Sequence, residues 1–220
     1  MKTLSPLALL LAICLPVLAA CDSDEVFEDD TVAYTADLTA LNGSGVDGAA
    51  ALTISDEADL EFTDDDTFQA AITASGLDAT VHPQHIHAEA VCPTMADDAN
   101  NDGYVDVVEG VPAYGPILVP LDGQLTDASA QVGSFPEGAT ITYEEETDFD
   151  DFLAAYQVAD SNPDDAVATL GANGDLDLAG RTIVLHGTTE DLPETVASLP
   201  GNPNEVTLPV ACGTVELAAL

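Results

Sequence analysis

The chain is 220 residues long and 46% hydrophobic, with 41 acidic residues against only two of Lys and Arg together. That balance excludes nucleic acid and anionic lipid head groups as partners, because both are held by basic patches. The apolar share excludes a disordered chain, which stays unfolded for want of side chains to bury, and the length suits one domain behind a targeting segment.

Lys2 is followed by an apolar run over residues 7–19 that closes in Leu18-Ala19-Ala20-Cys21. A positive start, a short apolar region and small residues before a cleavage point describe a secretory signal over residues 1–20. The run is too short and wrongly flanked for a transmembrane helix. Leu-Ala-Ala-Cys resembles the bacterial lipobox, which implies cleavage before Cys21. It also implies a lipid on the Cys21 sulfur that anchors the protein in a membrane at the cell envelope or surface. Residues 21–31 are acidic and aperiodic and read as a tether. Residues 32–220 are expected to form the domain.

Removal of the signal takes Lys2 and leaves Arg181 as the sole Lys or Arg. Acids spread along the whole chain point to a surface suited to high salt, where screening acts within ~3 Å at 1 M. Cys14 leaves with the signal and Cys21 takes the lipid, so Cys92 and Cys212 remain. In an oxidising compartment the two most simply pair, and a free buried thiol is the alternative.

From Thr31 onward, short alternating runs predict strands. Val32, Tyr34, Ala36 and Leu38 share one face, and Asn42-Gly43-Ser44-Gly45 turns the chain. Further strands are expected over 50–54, 60–63, 67–75, 84–90, 117–121, 139–143, 181–186, 206–212 and 214–218. His85 and His87 sit two apart on the run over 84–90, so both project from one face. Phe149, Phe152, Leu153 and Tyr156 fall at helical spacing and predict one short helix, with a further short turn through Val167 and Leu170. Residues 92–116 read as one long irregular loop. The pattern is that of a mostly β, antiparallel sandwich or barrel.

Within that loop, residues 98–109 fit the twelve-residue EF-hand pattern. Asp98, Asn100 and Asp102 would supply side-chain oxygens to calcium, and Tyr104 its carbonyl. Asp106 would bind directly or through water, and Glu109 would chelate with both oxygens. Gly103 allows the sharp turn. Pro93 before the loop, and Gly110 and Pro112 after it, argue against long flanking helices. A lone calcium-binding loop inserted in a β domain is expected.

Residues 82–87 (HPQHIH), Cys92, residues 180–187 (GRTIVLHG) and residues 210–217 (VACGTVEL) together resemble the copper/zinc superoxide dismutase superfamily. The HIH strand is also similar to that of CHRD domains. The resemblance spans most of residues 32–219 and implies a Greek-key sandwich with a Cys92–Cys212 bridge. It implies copper ligands at His85, His87 and His186, with His82 supporting the site. The chain departs from that family in two ways. No histidine lies between His87 and His186, where the family keeps its bridging and zinc-loop histidines, and the calcium pattern stands there instead. Leu208-Pro209-Val210 also occupies the place of the arginine that guides superoxide. Two functions follow: a non-catalytic, calcium-binding envelope lipoprotein that holds metal or a partner, or a copper-only dismutase-like enzyme. No serine or cysteine nucleophile motif accompanies the histidines, which disfavours a hydrolase.

Overall fold

Alternating burial along the chain writes most of the structure. The computed structural model describes residues 30–56, 66–78, 80–126, 134–160 and 178–219. The signal, Cys21 and nearly all of the tether lie outside the described residues. So do the strand expected over 60–63 and the turn expected through Val167 and Leu170.

In chain order the first strands are β1 (Asp30–Ala40), β2 (Asp47–Asp56), β3 (Thr67–Ser75) and β4 (Gln84–His87). Helix α1 (Val107–Tyr114), β5 (Ile117–Pro120), β6 (Thr140–Asp148) and helix α2 (Phe149–Asp160) follow. The chain closes with β7 (Thr182–His186), α3 (Asn204–Thr207), β8 (Pro209–Thr214) and β9 (Glu216–Leu217). The strands form one curled antiparallel sheet in the order β5-β4-β7-β8-β1-β2-β3-β6, with β9 paired to β1. A mostly β, antiparallel half-barrel is therefore the architecture.

Residues facing each other across the strands continue the same inward rows. Tyr34 pairs with Leu52 and Leu52 with Ala70, while Ala36, Ala50, Ile72 and Tyr143 form the next row. All of these residues are buried, whereas Thr35 and Asp37 between them face water. Val32 shares the face of Tyr34 but is 39% exposed, since it lies near the start of β1, beyond the covered part of that face. Helix α2 is the helix the spacing predicts. It runs from the end of β6 onto β5 and so spans the gap between the two edges of the sheet. Its Phe152 stacks on Phe68 with ring centroids 3.6 Å apart.

Two further helices replace expected irregular or extended backbone. Helix α1 forms inside the expected long loop because Asp106 caps it. The Asp106 carboxylate accepts the amides of Val108 and Glu109, and the Glu109 carboxylate accepts the Asp106 amide in return. This reciprocal box satisfies amides that a helix start otherwise leaves open. Pro112 removes only one amide donor from a helix of eight residues. Gly110 is needed, since a Cβ there would lie 2.5 Å from the Tyr114 ring. Val206 and Thr207, expected as strand, belong to the single turn of α3, which the Leu208 amide closes on the Asn204 carbonyl.

The Cys92–Cys212 disulfide is present, with Cα atoms 5.7 Å apart across 120 residues of sequence. It fastens the start of the segment bearing α1 to β8. Strands β4 and β7 are consequently buried along their whole length. Their inner face, Ile86, Ile183 and Leu185, enters the main core. On the outer face Val184 and Cys212 pack under Tyr114 rather than facing water.

Candidate metal centre

Strand register gathers three histidines on that covered outer face. His85 pairs with Val184 across β4 and β7. Side chains opposite one another share a face, and so do residues two apart. His85, His87, Val184 and His186 therefore point the same way. A ring nitrogen from each of His85, His87 and His186 lies within 4.8 Å of the other two. The rings are 5%, 2% and 4% exposed, respectively.

Backbone carbonyls set the tautomers of two rings. His87 Nδ1 lies 2.9 Å from the Gly115 carbonyl, and His186 Nδ1 lies 2.8 Å from the Thr207 carbonyl. A carbonyl only accepts, so each Nδ1 carries the proton and each Nε2 presents its lone pair. Both Nε2 atoms are buried without a hydrogen-bond partner. Buried polar atoms left in that state cost about 1–3 kcal/mol each. Burial holds the His87 ring at a pKa of about 3, with the neighbouring His186 pushing the same way. Burial likewise lowers His186 to about 4. Both rings are thus neutral near pH 7, the form that coordinates a metal.

The three rings form a nearly equilateral triangle, with centroids 5.7 Å apart for His85 and His87, 5.5 Å for His85 and His186 and 6.1 Å for His87 and His186. The Phe135 ring meets His85 edge-on at 5.3 Å, and Tyr114 meets His87 at 4.5 Å. Nitrogens bound at ~2.0–2.1 Å to one ion stand no more than ~4 Å apart. A bound ion would therefore draw the three rings inward by under ~1 Å, within the reach of side-chain torsion. The residues fit a metal, because three imidazole donors converge, and two of them, His87 and His186, are held neutral by burial with their second nitrogens fixed by carbonyls.

His82 lies outside this group. It is fully buried, with Nδ1 3.0 Å from the His186 carbonyl and Nε2 2.9 Å from the Asp78 carbonyl. Its contact with the three-histidine cluster runs through the backbone of His186. The adjoining Gly187 has φ +105°, and a Cβ there would sit 2.5 Å from the Val81 carbonyl. Only glycine lets the two segments approach so closely.

Residues 98–109 form a loop closed on its own amides. Asp98 accepts from the Asp102 and Gly103 amides at 3.2 and 3.0 Å, and Asn100 from the Asp102 amide at 2.8 Å. Asp102 accepts from the Tyr104 amide at 3.0 Å, and its other oxygen is buried without a partner. Glu109 reaches back to the Ala99 and Asn100 amides at 2.9 and 3.2 Å. Gly103 takes φ +97° at the turn. Asp106 is wholly engaged, one oxygen capping α1 and the other accepting the Ala197 amide at 2.7 Å. Among the described residues, the histidines are the one group of three ligating side chains within 4.8 Å. No three of the loop carboxylates are so gathered.

Four groups of the metal centre escape sequence reasoning: Tyr114, Phe135, and the carbonyls of Gly115 and Thr207. The Asp106-x-x-Glu109 spacing is the signal for the first, since it marks a helix start whose apolar run ends at Tyr114. Arg181, the sole cation of the described residues, is 6% exposed and donates to the Ala88 carbonyl at the far end of β7. Comparison with known protein families and with curated proteins finds no match to this chain.

Proposed function

We propose that this is an exported lipoprotein whose β domain holds a copper ion on His85, His87 and His186 and a calcium ion in the loop 98–109. Its role is that of a non-catalytic metal-binding module. The observation that carries the reading is the pair of buried, unpartnered Nε2 atoms aimed into one three-histidine cluster. Imidazole suits copper, zinc, iron and nickel alike, and the resemblance to the dismutase superfamily selects copper among them. The calcium assignment rests on the twelve-residue pattern, on the turn that Asp98, Asn100 and Gly103 make in the loop, and on the unpartnered Asp102 oxygen. Export is supported by the disulfide, since such bonds persist in oxidising compartments.

A copper-only, superoxide dismutase-like enzyme is the second reading, favoured by the same three convergent imidazoles. Copper there would supply one-electron redox chemistry. The protein's own groups orient the rings and exclude water. Against turnover stand the near-complete burial of all three rings and a surface of acids that repels an anionic substrate.

One preparation tests both readings. Protein isolated from its own membrane in detergent is expected to begin at a lipid-modified Cys21 by intact mass. It should carry one copper and one calcium per chain by elemental analysis, and scavenge superoxide no faster than the same protein stripped of copper. Scavenging that disappears in His85→Ala would establish the enzyme. Zinc in place of copper would overturn the metal assignment, and an unmodified amino terminus would overturn the anchor.

A further inference from the structure

Helix α1 connects the calcium-pattern loop to the histidine centre. Its cap, Asp106, and its third residue, Glu109, belong to the acidic loop. Its last residue, Tyr114, packs on His87, and the next residue, Gly115, offers the carbonyl that orients the His87 ring. The Tyr114 side chain is fully buried and folds back along the helix. It lies over Gly110, and its hydroxyl donates to the Val107 carbonyl at 3.3 Å. One ring therefore touches both the first turn of α1 and the face of His87.

A second arm leaves the same aspartate. The free oxygen of the Asp106 cap accepts the Ala197 amide. The neighbouring Ser198 hydroxyl is 3.2 Å from the Thr207 hydroxyl, and the Thr207 carbonyl accepts His186 Nδ1–H. Two of the three metal-facing rings thus take their orientation from segments held at Asp106.

We propose that the loop 98–109 and the histidine centre are thermodynamically coupled through Asp106 and α1, with Tyr114 as the positioning residue. A divalent cation in the loop strengthens the binding of copper to the histidines. The proposal rests on the reading that both sites hold cations. Its physical content is pre-organisation. A cation drawing Glu109 and the loop oxygens together fixes the first turn of α1. The ordering of Tyr114, Gly115 and hence His87 is then already in place when copper arrives. Coupling of this kind commonly changes affinity by 5–150-fold, and linkage makes it reciprocal. A factor of about ten is expected here, copper tightening calcium by the same factor.

The test is calorimetric titration of the intact mature chain with Cu(II), with and without saturating calcium chloride at constant ionic strength. The reverse titration completes the cycle. Copper affinity is expected to rise about tenfold with calcium. Tyr114→Phe should keep the factor. Tyr114→Ala should lose it while each metal still binds in the absence of the other, a result that general destabilisation would not produce. Both metals binding with copper affinity indifferent to calcium would overturn the coupling and leave both sites standing. Absence of calcium heat would overturn the reading of the loop, and the coupling with it. If Tyr114→Ala does not fold, the wild-type cycle alone decides.

Discussion

Replacing Cys92 and Cys212 together by alanine is expected to lower the unfolding free energy by ~4–5 kcal/mol. The bridge closes a loop of 120 residues, and a loop of that order removes this much entropy from the unfolded chain. Whole domains are stable by only ~5–15 kcal/mol, so the loss takes about a quarter of the total or more. The double replacement avoids leaving one thiol buried against Val184 and Tyr114. The effect also has a local part, because the bridge ties the start of the segment 92–116 to β8. Without it, the cover over His87 is held by hydrogen bonds and packing, among them the Asn42–Val105 pair and the Glu89 amide on the Tyr114 carbonyl. Denaturant unfolding in molar salt reads the loss. A change below ~1 kcal/mol would mean that the unfolded chain is restrained by other means.

Transfer from molar to ~10 mM sodium chloride is expected to cost the domain most of its stability. All four histidines are buried, and so is Arg181, which leaves no exposed cationic side chain among the described residues. Acids meanwhile crowd neighbouring positions, with Glu144, Glu145 and Glu146 in succession on edge strand β6 and Asp150 and Asp151 in the first turn of α2. Two like charges ~10 Å apart in water repel by ~0.4 kcal/mol. Screening over ~3 Å at 1 M removes nearly all of this, and screening over ~30 Å at 0.01 M removes little. Summed over tens of acids with several neighbours each, the repulsion reaches several kcal/mol, the size of the whole margin. Chloride is the right anion for the test, since sulfate would strengthen apolar burial independently of charge. Melting curves by circular dichroism should shift sharply downward at low salt. Equal midpoints would refute the salt-adapted surface.

The strands with one wet face are legible in the sequence because their chemistry alternates. Tyr34, Ala36 and Leu38, or Phe68, Ala70 and Ile72, announce a period of two by themselves. Strands β4 and β7 carry no such sign, since both of their faces are covered. The spacing of His85 and His87 is enough to put them on one face. Bringing His186 to them depends on the register of β4 against β7, a long-range pairing that local pattern does not encode. Only the family resemblance points to it.

Helix α1 is hidden for a different reason. Asp106 and Glu109 serve two ends at once, loop pattern and capping box, and a reading fixed on the cation overlooks the cap. Gly110 and Pro112 look like breakers, yet one is the seat of the Tyr114 ring and the other removes a single donor. Tyr114 and the Gly115 carbonyl, which orient His87, are hidden along with the helix. The stretch 206–207 shows the usual weakness of β-branched residues as a guide, since Val206 and Thr207 close a helical turn after Pro203.

Paramagnetic resonance of the copper-loaded protein shows whether the three buried imidazoles form one metal centre. With so many surface carboxylates, copper bound anywhere else would be coordinated by oxygen. The expected result is one Cu(II) per chain whose spectrum carries splitting from three imidazole nitrogens, lost in His87→Gln. A spectrum of oxygen-coordinated copper that His87→Gln leaves unchanged would contradict it.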